Sequence, residues 1–429
     1  MIIFHNKHKA HAFWGAAFVL LIAMGCTQPT DGNTGGTVTP NPDAPFVEGG
    51  ASLILSPDKL DIRVKVTTAD NSPIRIEGCT ETTLASGTET VLHAKSTTVI
   101  LKGKIIELYC GEGEYYNNNG IRNKLTALNV QGLRALQVLY CGYNQLTALN
   151  VQGLTALQRL YCYNNQLTAL NVQGLTALQK LDCYNNQLTE LNVQDLTALQ
   201  SLSCSYNQLT ALNVQDCAAL KGLYCGINQL TTLNVQGCTA LRWLECYGNQ
   251  LTTLDVQGCT ALEKLDCYNN RLTALNVQGL TALQKLDCYN NQLTELNVQD
   301  LTALQSLSCS YNQLTALNAQ DCTALKKLEC AGNQLTELNV QGLTDLKDLG
   351  CSDNRLTADA FKKLFDDLPQ RDAGNRGYCY LYTEEPGVTE GNHTDFTAPQ
   401  DLADAFDKAK TVKNWKMYKR NGSGSWVEI

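Results

Sequence analysis

A period of twenty-one residues, which runs without insertion or deletion from Leu125 to Arg355, predicts a leucine-rich-repeat solenoid. Eleven copies fill this stretch, and the type copy is LTALNVQGLTALQKLDCYNNQ at 167–187. In each copy the order L-x-x-L-x-C-x-x-N-x-L places a cysteine where the usual repeat has a leucine. The predicted fold class is a parallel β-sheet superhelix with short convex segments, a small β N-terminal cap and α/β C-terminal capping coils.

Each copy is predicted to contribute one short strand, such as KLDCY at 180–184. Because side chains alternate along a strand, Leu181 and Cys183 should point inward and the other three residues outward. One coil cannot cover its own apolar face, so neighbouring coils must stack. An asparagine ends the pattern in every copy, from Asn144 to Asn354. Its side chain is predicted to bond the backbone amides of adjacent turns, which would otherwise be unpaired inside.

The ends of the array need a cover, because an open coil exposes its core. Residues 46–108 are predicted to form a β-rich N-terminal cap that runs into the first coil, and the array is expected over 109–355. The strands of the cap are predicted at 60–68, 73–78 and 97–103.

The C-terminal residues 356–429 are predicted to be capping coils that contain helices. Phe361, Leu364, Phe365 and Leu368 share one helical face, and Thr357 is placed to cap that helix. The predicted helices cover 357–369 and 399–410, and the predicted strands cover 378–382 and 414–418.

The N-terminal residues 1–25 have the pattern of a signal peptide, with an apolar run of thirteen residues at 12–24 behind a basic start. The run is shorter than the roughly 20 residues of a membrane-spanning helix. The letters AMGC at 23–26 resemble a bacterial lipobox, which makes Cys26 the lipidation candidate. The alternative is an ordinary cleaved signal with an incidental cysteine. Residues 26–45 are rich in Thr, Pro and Gly and are expected to form a flexible tether.

Twelve cysteines recur at the strand position, and the first of them, Cys110, precedes the eleven copies. Disulfides, a metal site and packing of free thiols are three possible explanations. Parallel side chains disfavour the torsion of about 90° that a disulfide needs, and no C-x-x-C occurs. We favour packing, with the cysteine as a small apolar residue. The predicted structural ladder consists of Cys141, Cys162, Cys183, Cys204, Cys225, Cys246, Cys267, Cys288, Cys309, Cys330 and Cys351.

The motif L-T-x-L-x-V-x-x-x-x-x-L-x-x-L-x-C-x-x-N over residues 125–355 resembles the internalin-J-like bacterial surface proteins that carry a cysteine ladder. The flanking segments are similar to the caps of lipid-anchored members of that group. The resemblance implies a surface adhesin that binds host or neighbouring bacterial surfaces. The chain departs from internalin J in its lipobox-like start and in the lack of a wall-sorting signal, so attachment through wall sorting is not implied.

Composition and motifs argue against two classes of function. The chain has 33 Lys plus Arg against 41 Asp plus Glu, and nucleic-acid binding needs a basic patch. After the signal segment only His93 and His393 remain as histidines, and a repeat array gives like groups in columns instead of unlike groups that converge. We therefore expect no enzyme, no cofactor and no metal site.

Aromatic residues on the outward columns of the predicted concave face are the candidate ligand-binding residues. Tyrosine and tryptophan are frequent binding anchors, although tyrosine also suits a strand and can simply stack along the ladder. The candidates are Tyr140, Tyr161, Tyr163, Tyr184, Trp243, Tyr247, Tyr268 and Tyr289.

The predicted function is a surface lipoprotein that binds a protein or glycan on host or neighbouring bacterial cells. The expected location is the bacterial outer membrane, with the membrane reached through the N-terminal lipid only and the array monomeric. The alternative is a structural, self-associating surface component. A carbohydrate-processing accessory is a third possibility that rests on the tyrosines alone.

Overall fold

The computed structural model describes residues 44–111 and 123–429. The predicted signal peptide, Cys26 and nearly all of the predicted tether lie outside these residues. Seven strands precede the repeats, and they are β1 (Gly50–Leu55), β2 (Asp61–Thr68), β3 (Ile74–Glu77), β4 (Thr83–Leu84), β5 (Glu89–His93), β6 (Thr98–Lys102) and β7 (Ile105–Tyr109).

These strands belong to two sheets, and each sheet continues into the repeats. One sheet has the order β4-β3-β6-β1-β8, in which β8 (Leu125–Asn129) comes from the first repeat copy. In the other, β2 pairs with β5 and β7 in antiparallel fashion, and β7 is parallel to the first array strand, Val138–Tyr140. Backbone pairing therefore extends both sheets beyond the N-terminal end of the array, and the cap strands cover the first coil there.

The repeats form a parallel sheet, called the main sheet, with one three-residue strand per coil. Its strands pair in register, so that Leu181 lies opposite Leu160 on one side and Leu202 on the other. The strands are β9 (Val138–Tyr140), β10 (Arg159–Tyr161), β11 (Lys180–Asp182), β12 (Ser201–Ser203), β14 (Gly222–Tyr224), β16 (Trp243–Glu245), β17 (Lys264–Asp266), β18 (Lys285–Asp287), β19 (Ser306–Ser308), β20 (Lys327–Glu329) and β21 (Asp348–Gly350). A separate short sheet joins β13 (Ala211–Asn213) and β15 (Thr232–Asn234).

Side chains alternate about the main sheet as the sequence pattern predicts. Leu181 and Cys183 are completely buried, while Lys180, Asp182 and Tyr184 are partly exposed. The leucines, valines and cysteines of successive coils form one continuous apolar core that extends into both caps. Stability is therefore expected to be nearly a sum over neighbouring coils.

The asparagine ladder pairs the backbone of adjacent coils. In the eighth copy, the Asn291 Nδ2 donates to Cys267 O of the preceding coil at 3.1 Å and to Cys288 O of its own coil at 3.0 Å. Its Oδ1 accepts from the Leu272 amide at 3.0 Å. The predicted bonding role is confirmed, and the side chain satisfies carbonyls as well as an amide.

Two asparagines outside the eleven copies extend this ladder. Asn123 Nδ2 donates to Cys110 O and Arg63 O, each at 2.8 Å, at the N-terminal end. Asn392 Nδ2 donates to Cys351 O and Leu381 O, each at 2.9 Å, at the other end. The caps therefore use the same bonding device as the coils that they cover.

All eighteen cysteines of the described residues are buried, and none of them forms a disulfide. The ladder from Cys141 to Cys351 lies inside the main sheet, and each of its members has no exposed surface. Burial raises the pKa of Cys204 and Cys246 to about 12. These thiols therefore stay neutral and pack as small apolar groups.

We expect Cys267→Ala to destabilise the array less than Leu265→Ala. Both side chains are completely buried on the same strand region, but alanine removes three more carbons from leucine and leaves a larger cavity. The leucine variant should lose about 2–5 kcal/mol of unfolding free energy, the usual cost of such a deletion. Urea unfolding of both variants measures the difference. An equal or greater loss for Cys267→Ala would contradict the packing role of the ladder.

Longer coils that contain helices cover the C-terminal end. The predicted helices are observed as α1 (Ala358–Asp367) and α2 (Gln400–Thr411), and Thr357 Oγ1 accepts from the Ala360 amide at 3.2 Å as an N-cap. The strands β22 (Gly377–Thr383) and β23 (Trp415–Arg420) continue the main sheet in parallel, and β24 (Trp426–Glu428) ends it in antiparallel fashion. Cys379 pairs with Leu349, so it occupies the leucine position of the coil instead of the cysteine position.

Neither helix in the described parts of the chain has the length and apolarity to cross a bilayer.

Candidate functional site

The outward face of the main sheet, called the main-sheet face, carries all eight predicted ligand-binding aromatic residues. Each lies on a strand or directly after the cysteine that follows the strand. Five of them are half-buried, namely Tyr184, Trp243, Tyr247, Tyr268 and Tyr289.

The expected exposure is wrong for the three N-terminal candidates. Tyr140, Tyr161 and Tyr163 are only 6%, 7% and 8% exposed. They form a small apolar cluster of their own with Val138, outside the main core. Strand spacing explains this burial, because in-register strands about 4.8 Å apart allow successive rings to cover one another.

The N-terminal cluster is a stack of rings that ends against ammonium groups. The centroids of Tyr109 and Tyr140 lie 4.8 Å apart, and those of Tyr140 and Tyr161 lie 3.8 Å apart with nearly parallel planes. Lys65 Nζ lies 5.4 Å from the Tyr109 ring and Lys180 Nζ lies 4.9 Å from the Tyr161 ring. Such contacts stabilise the face and leave little of these rings for a ligand.

The central tyrosines form a second and more accessible stack. The ring centroids of Tyr247 and Tyr268 are 4.7 Å apart, and those of Tyr268 and Tyr289 are 4.5 Å apart, with interplanar angles of 7° and 9°. A Cβ on Gly226 would come within 2.8 Å of the Tyr247 ring, so the first ring lies flat on glycine backbone. Burial raises the pKa of Tyr247 and Tyr289 to about 12, which keeps both hydroxyls as hydrogen-bond donors at neutral pH.

A strip of alternating charges runs beside the central stack. Lys264 Nζ donates to Glu245 Oε1 at 2.6 Å and lies 2.8 Å from Asp266 Oδ2. In the next coil, Lys285 Nζ donates to Asp287 Oδ2 at 2.6 Å. Burial acts to lower the pKa of Lys264, but the bonds to Asp266 and Glu245 outweigh it and raise the pKa. Each lysine of the strip therefore pairs with a carboxylate of its own strand, as the spacing of charges predicts.

A turn position that the sequence reasoning missed adds further aromatic groups at the edge of this face. The residue before each ladder asparagine has a positive φ, between 52° and 65°, in all eleven copies. Seven copies place Asn, Gly or Asp there, the residues that accept this conformation most readily. The other four copies place bulky residues there, and these are Tyr143, Tyr206, Ile227 and Tyr311.

Two of these four residues are prominent on the surface. Tyr206 is 44% exposed and Tyr311 is 52% exposed. The ring of Tyr206 meets that of Tyr184 edge-on at a centroid distance of 5.2 Å. The signal in the sequence is a tyrosine in a column that otherwise favours Asn and Gly.

The two histidines that follow the signal segment lie in the caps, away from the main-sheet face. His93 Nδ1 lies 2.7 Å from Glu81 Oε1, and this hydrogen bond raises the pKa of His93. His393 contacts the backbone oxygen of Asp395. In the described ranges, no group of three or more His, Cys, Asp or Glu side chains is arranged to hold a metal ion.

A groove of about 620 Å³ lies on another face of the coils, at the sheet formed by β13 and β15. Asparagine, glutamine and leucine side chains of four successive coils line it, with Glu190 as its charged residue. Several of these asparagines already bond their own turn, as when Asn192 Oδ1 accepts from the Gln194 amide at 3.0 Å. The groove is therefore open and of mixed polarity, without the aromatic groups of the main-sheet face.

Comparison with protein families gives a match to leucine-rich repeats (2 copies) at residues 155–196. A comparison of the sequence with curated proteins gives no significant match.

Comparison with solved structures gives similarity to the functional domain of InlJ from Listeria monocytogenes, which includes a cysteine ladder. The identity is 29% and the TM-score 0.53, over 67% of this chain and 62% of that domain. The chain thus spans less than two thirds of the structure that it matches.

Two further structures share the fold. The leucine-rich-repeat protein LIC12759 of Leptospira interrogans is 25% identical with a TM-score of 0.50, over 67% of this chain and 81% of that one. An internalin of Listeria monocytogenes, InlF, is 23% identical with a TM-score of 0.54, over 70% and 84%. The leucine-rich-repeat fold is shown, and the internalin-J-like character follows from the shared cysteine ladder.

Proposed function

We propose that this leucine-rich-repeat protein, similar to internalin J, is a surface adhesin that binds a protein or glycan on host or neighbouring bacterial cells. In this proposal Cys26 carries a lipid in the outer membrane, and residues 26–45 hold the array away from it. The cap at 46–108 and the coils at 356–429 close an array that works as a monomer and performs no catalysis.

The stack of Tyr247, Tyr268 and Tyr289 is the observation that carries this proposal. Three nearly parallel rings stay partly exposed on a rigid sheet. Rigid aromatic groups give a partner apolar area and a hydroxyl at low entropic cost. The neighbouring charges are already paired. The rings are therefore the groups on this face that can bury apolar surface against a partner.

Self-association is the second candidate function, and the groove at Ala211–Asn213 favours it. Backbone and amide side chains there repeat at the coil spacing over four coils. A second copy of the chain presents the same repeat and could bond to it in register. This candidate predicts oligomers that form as the protein concentration rises.

The test uses residues 46–429 and a triple variant in which Tyr247, Tyr268 and Tyr289 are replaced by serine. Serine already occupies the same column in Ser205 and Ser310, so the replacement suits the fold. Binding to immobilised host matrix proteins, whole bacterial cells and a glycan panel is measured for both proteins. We expect the variant to lose at least tenfold in affinity while its circular dichroism is unchanged.

The matched control is Glu190→Ala with Gln194→Ala in the groove, which should leave that binding intact. Loss of binding in the control alone would move the site to the groove. If neither protein binds any target but sedimentation shows oligomers that only the groove variant lacks, self-association replaces the adhesin proposal.

A further inference from the structure

An internal duplication places the same sequence on the array twice. Residues 167–213 are identical to residues 272–318, at an offset of 105 residues or five coils. Within each copy lies the segment SLSCSY, at 201–206 and at 306–311, which we call the serine–tyrosine unit. In each unit three serines occupy the outward positions of the main-sheet face, and a tyrosine occupies the turn.

The two tyrosines are held in an unfavourable backbone conformation without a benefit to the core. Tyr206 has φ 56° and Tyr311 has φ 54°, and both are among the most exposed apolar residues of the described chain. A left-handed conformation costs a residue with a Cβ about 1–2 kcal/mol. Neighbouring coils avoid most of this cost with Asn185 and Asn290 at the same turn. Strain that burial does not offset points to a functional role for the exposed ring.

Each unit lies beside a coil whose charges balance. The coil before the second unit joins Lys285 to Asp287 at 2.6 Å, and the coil before the first unit has Lys180 and Asp182 at the same places. The units themselves contain only hydroxyl and phenol groups. This arrangement complements a ligand that has no net charge and many hydroxyl groups.

The first unit offers two aromatic rings against which a ring-shaped ligand could pack. The Tyr206 ring stands edge-on to Tyr184 at a centroid distance of 5.2 Å, and the two rings form a corner. Ser201 and Ser203 are partly exposed on the adjacent strand. In the second unit the Tyr311 ring lies over Gly332, where a Cβ would come within 2.6 Å of it, and Ser308 Oγ lies 3.4 Å from Glu329 Oε2.

The spacing between the units indicates a ligand that is itself periodic. Five coils at about 4.8 Å each separate equivalent atoms by roughly 24 Å. Two units of the same sequence on one rigid sheet can bind two identical parts of a partner without any further ordering of the protein. An extended polymer of neutral sugars has such equivalent parts and can span this distance.

We propose that the two serine–tyrosine units are equivalent subsites for a neutral, repeating glycan. Tyr206 and Tyr311 stack on its pyranose rings, and the partly exposed hydroxyls of Ser201, Ser203 and Ser306 bond its hydroxyl groups. This proposal rests on the proposed binding function of the main-sheet face and names the partner class. Simultaneous occupation of both units supplies avidity that neither unit has alone.

The test replaces the tyrosines with the residue that neighbouring coils use, in Tyr206→Asn, Tyr311→Asn and the double variant. Asparagine suits the turn, so thermal stability should be unchanged or raised. The probes are neutral dextran, galactan and mannan, with their disaccharides. We expect the disaccharide of the polymer that binds to show a stoichiometry of two for the wild type, one for each single variant and none for the double variant. Affinity for the polymer should fall about 100-fold or more when either unit is lost.

Tyr143→Asn is the matched control, because Tyr143 occupies the same turn in a coil that lacks the serines. It should leave glycan binding unchanged. A double variant that binds like the wild type would overturn the inference. A wild type that binds none of these glycans would also overturn it. If that protein still captures a protein target through Tyr247, Tyr268 and Tyr289, the proposed adhesin function stands without the glycan subsites.

Discussion

Raising the pH from 8 to 10 is expected to destabilise the array steeply. Burial raises the pKa of Cys110, Cys204 and Cys246 from 9.0 to about 12, and it raises the pKa of the other ladder thiols well above the ordinary value. Below pH 9 both folded and unfolded chains hold these protons, so the stability is fully present. Above pH 9 the unfolded chain releases them and the folded chain does not, so stability falls until the pH reaches the folded pKa.

The size of this effect follows from the number of thiols. Each one contributes a slope of about 1.4 kcal/mol per pH unit once it is ionised in the unfolded chain. The measurement is the urea midpoint or melting temperature at steps between pH 8 and 10, with a phosphine reductant present. This window ends where tyrosine and lysine side chains of the unfolded chain begin to titrate.

A variant with leucine at Cys217, Cys238 and Cys259 provides the control. Leucine occupies this position in other coils, as at Leu175 and Leu196, and all three thiols are buried with a raised pKa. The variant should lose less stability per pH unit than the wild type, by at most about 4 kcal/mol. An identical pH dependence in both proteins would mean that the thiols do not titrate on unfolding, and the account of the ladder as neutral packing would fail.

Loss of one ladder asparagine is expected to destabilise the array strongly. Asn270 Nδ2 donates to Cys246 O at 3.1 Å and to Cys267 O at 3.0 Å, and its Oδ1 accepts from the Leu251 amide at 3.1 Å. Asn270→Ala leaves the buried Leu251 amide without a partner, at about 1–3 kcal/mol. Each carbonyl loses one of its bonds but keeps another, because Cys246 O still accepts from Asn249 and Cys267 O from Asn291. We expect a loss of about 2–4 kcal/mol in the unfolding free energy, measured by urea denaturation.

Two further variants separate hydrogen bonding from volume. Asn270→Asp keeps the size but places a carboxylate against two carbonyl oxygens, so it should destabilise at least as much as alanine. Asn276→Ala removes an exposed asparagine whose Oδ1 accepts only from its own turn, at Gln278 N, and should cost no more than about 1 kcal/mol. Equal losses for Asn270→Ala and Asn276→Ala would show that the ladder bonds do not hold the coils together.

Periodicity made most of the fold predictable. A fixed period puts every leucine, cysteine and asparagine in the same environment, so one correct assignment at Leu181 or Cys183 holds for eleven coils. The helix that begins after Thr357 was predictable because its apolar spacing and its cap agree. The cap strands Gly50–Leu55 and Glu89–His93 were missed, because β1 is buried along its whole length and β5 has only one fully buried residue, so neither alternates clearly.

The candidate site was less predictable, because it depends on how side chains of neighbouring coils meet. Alternation correctly places Tyr140 and Tyr161 on the outward face, but it does not reveal that their rings cover each other. Asn392 could not be found by spacing either, since the last coil is lengthened by a helix and the twenty-one-residue period no longer applies. The positive φ at Tyr206 was not predicted, because its only trace in the sequence is the preference for Asn, Gly or Asp at that position of the repeat.

The parallel, in-register strands also determine how the protein responds to force. The hydrogen bonds between coils, such as that from the Cys183 amide to Ser203 O at 2.8 Å, point along the axis of the stack. Tension between the two ends therefore loads these bonds one coil after another, as in a zipper, instead of shearing many at once. Each coil released adds roughly 70 Å of extended chain at about 3.4 Å per residue. An array of this kind lengthens stepwise under load while the coils not yet released keep their surface intact.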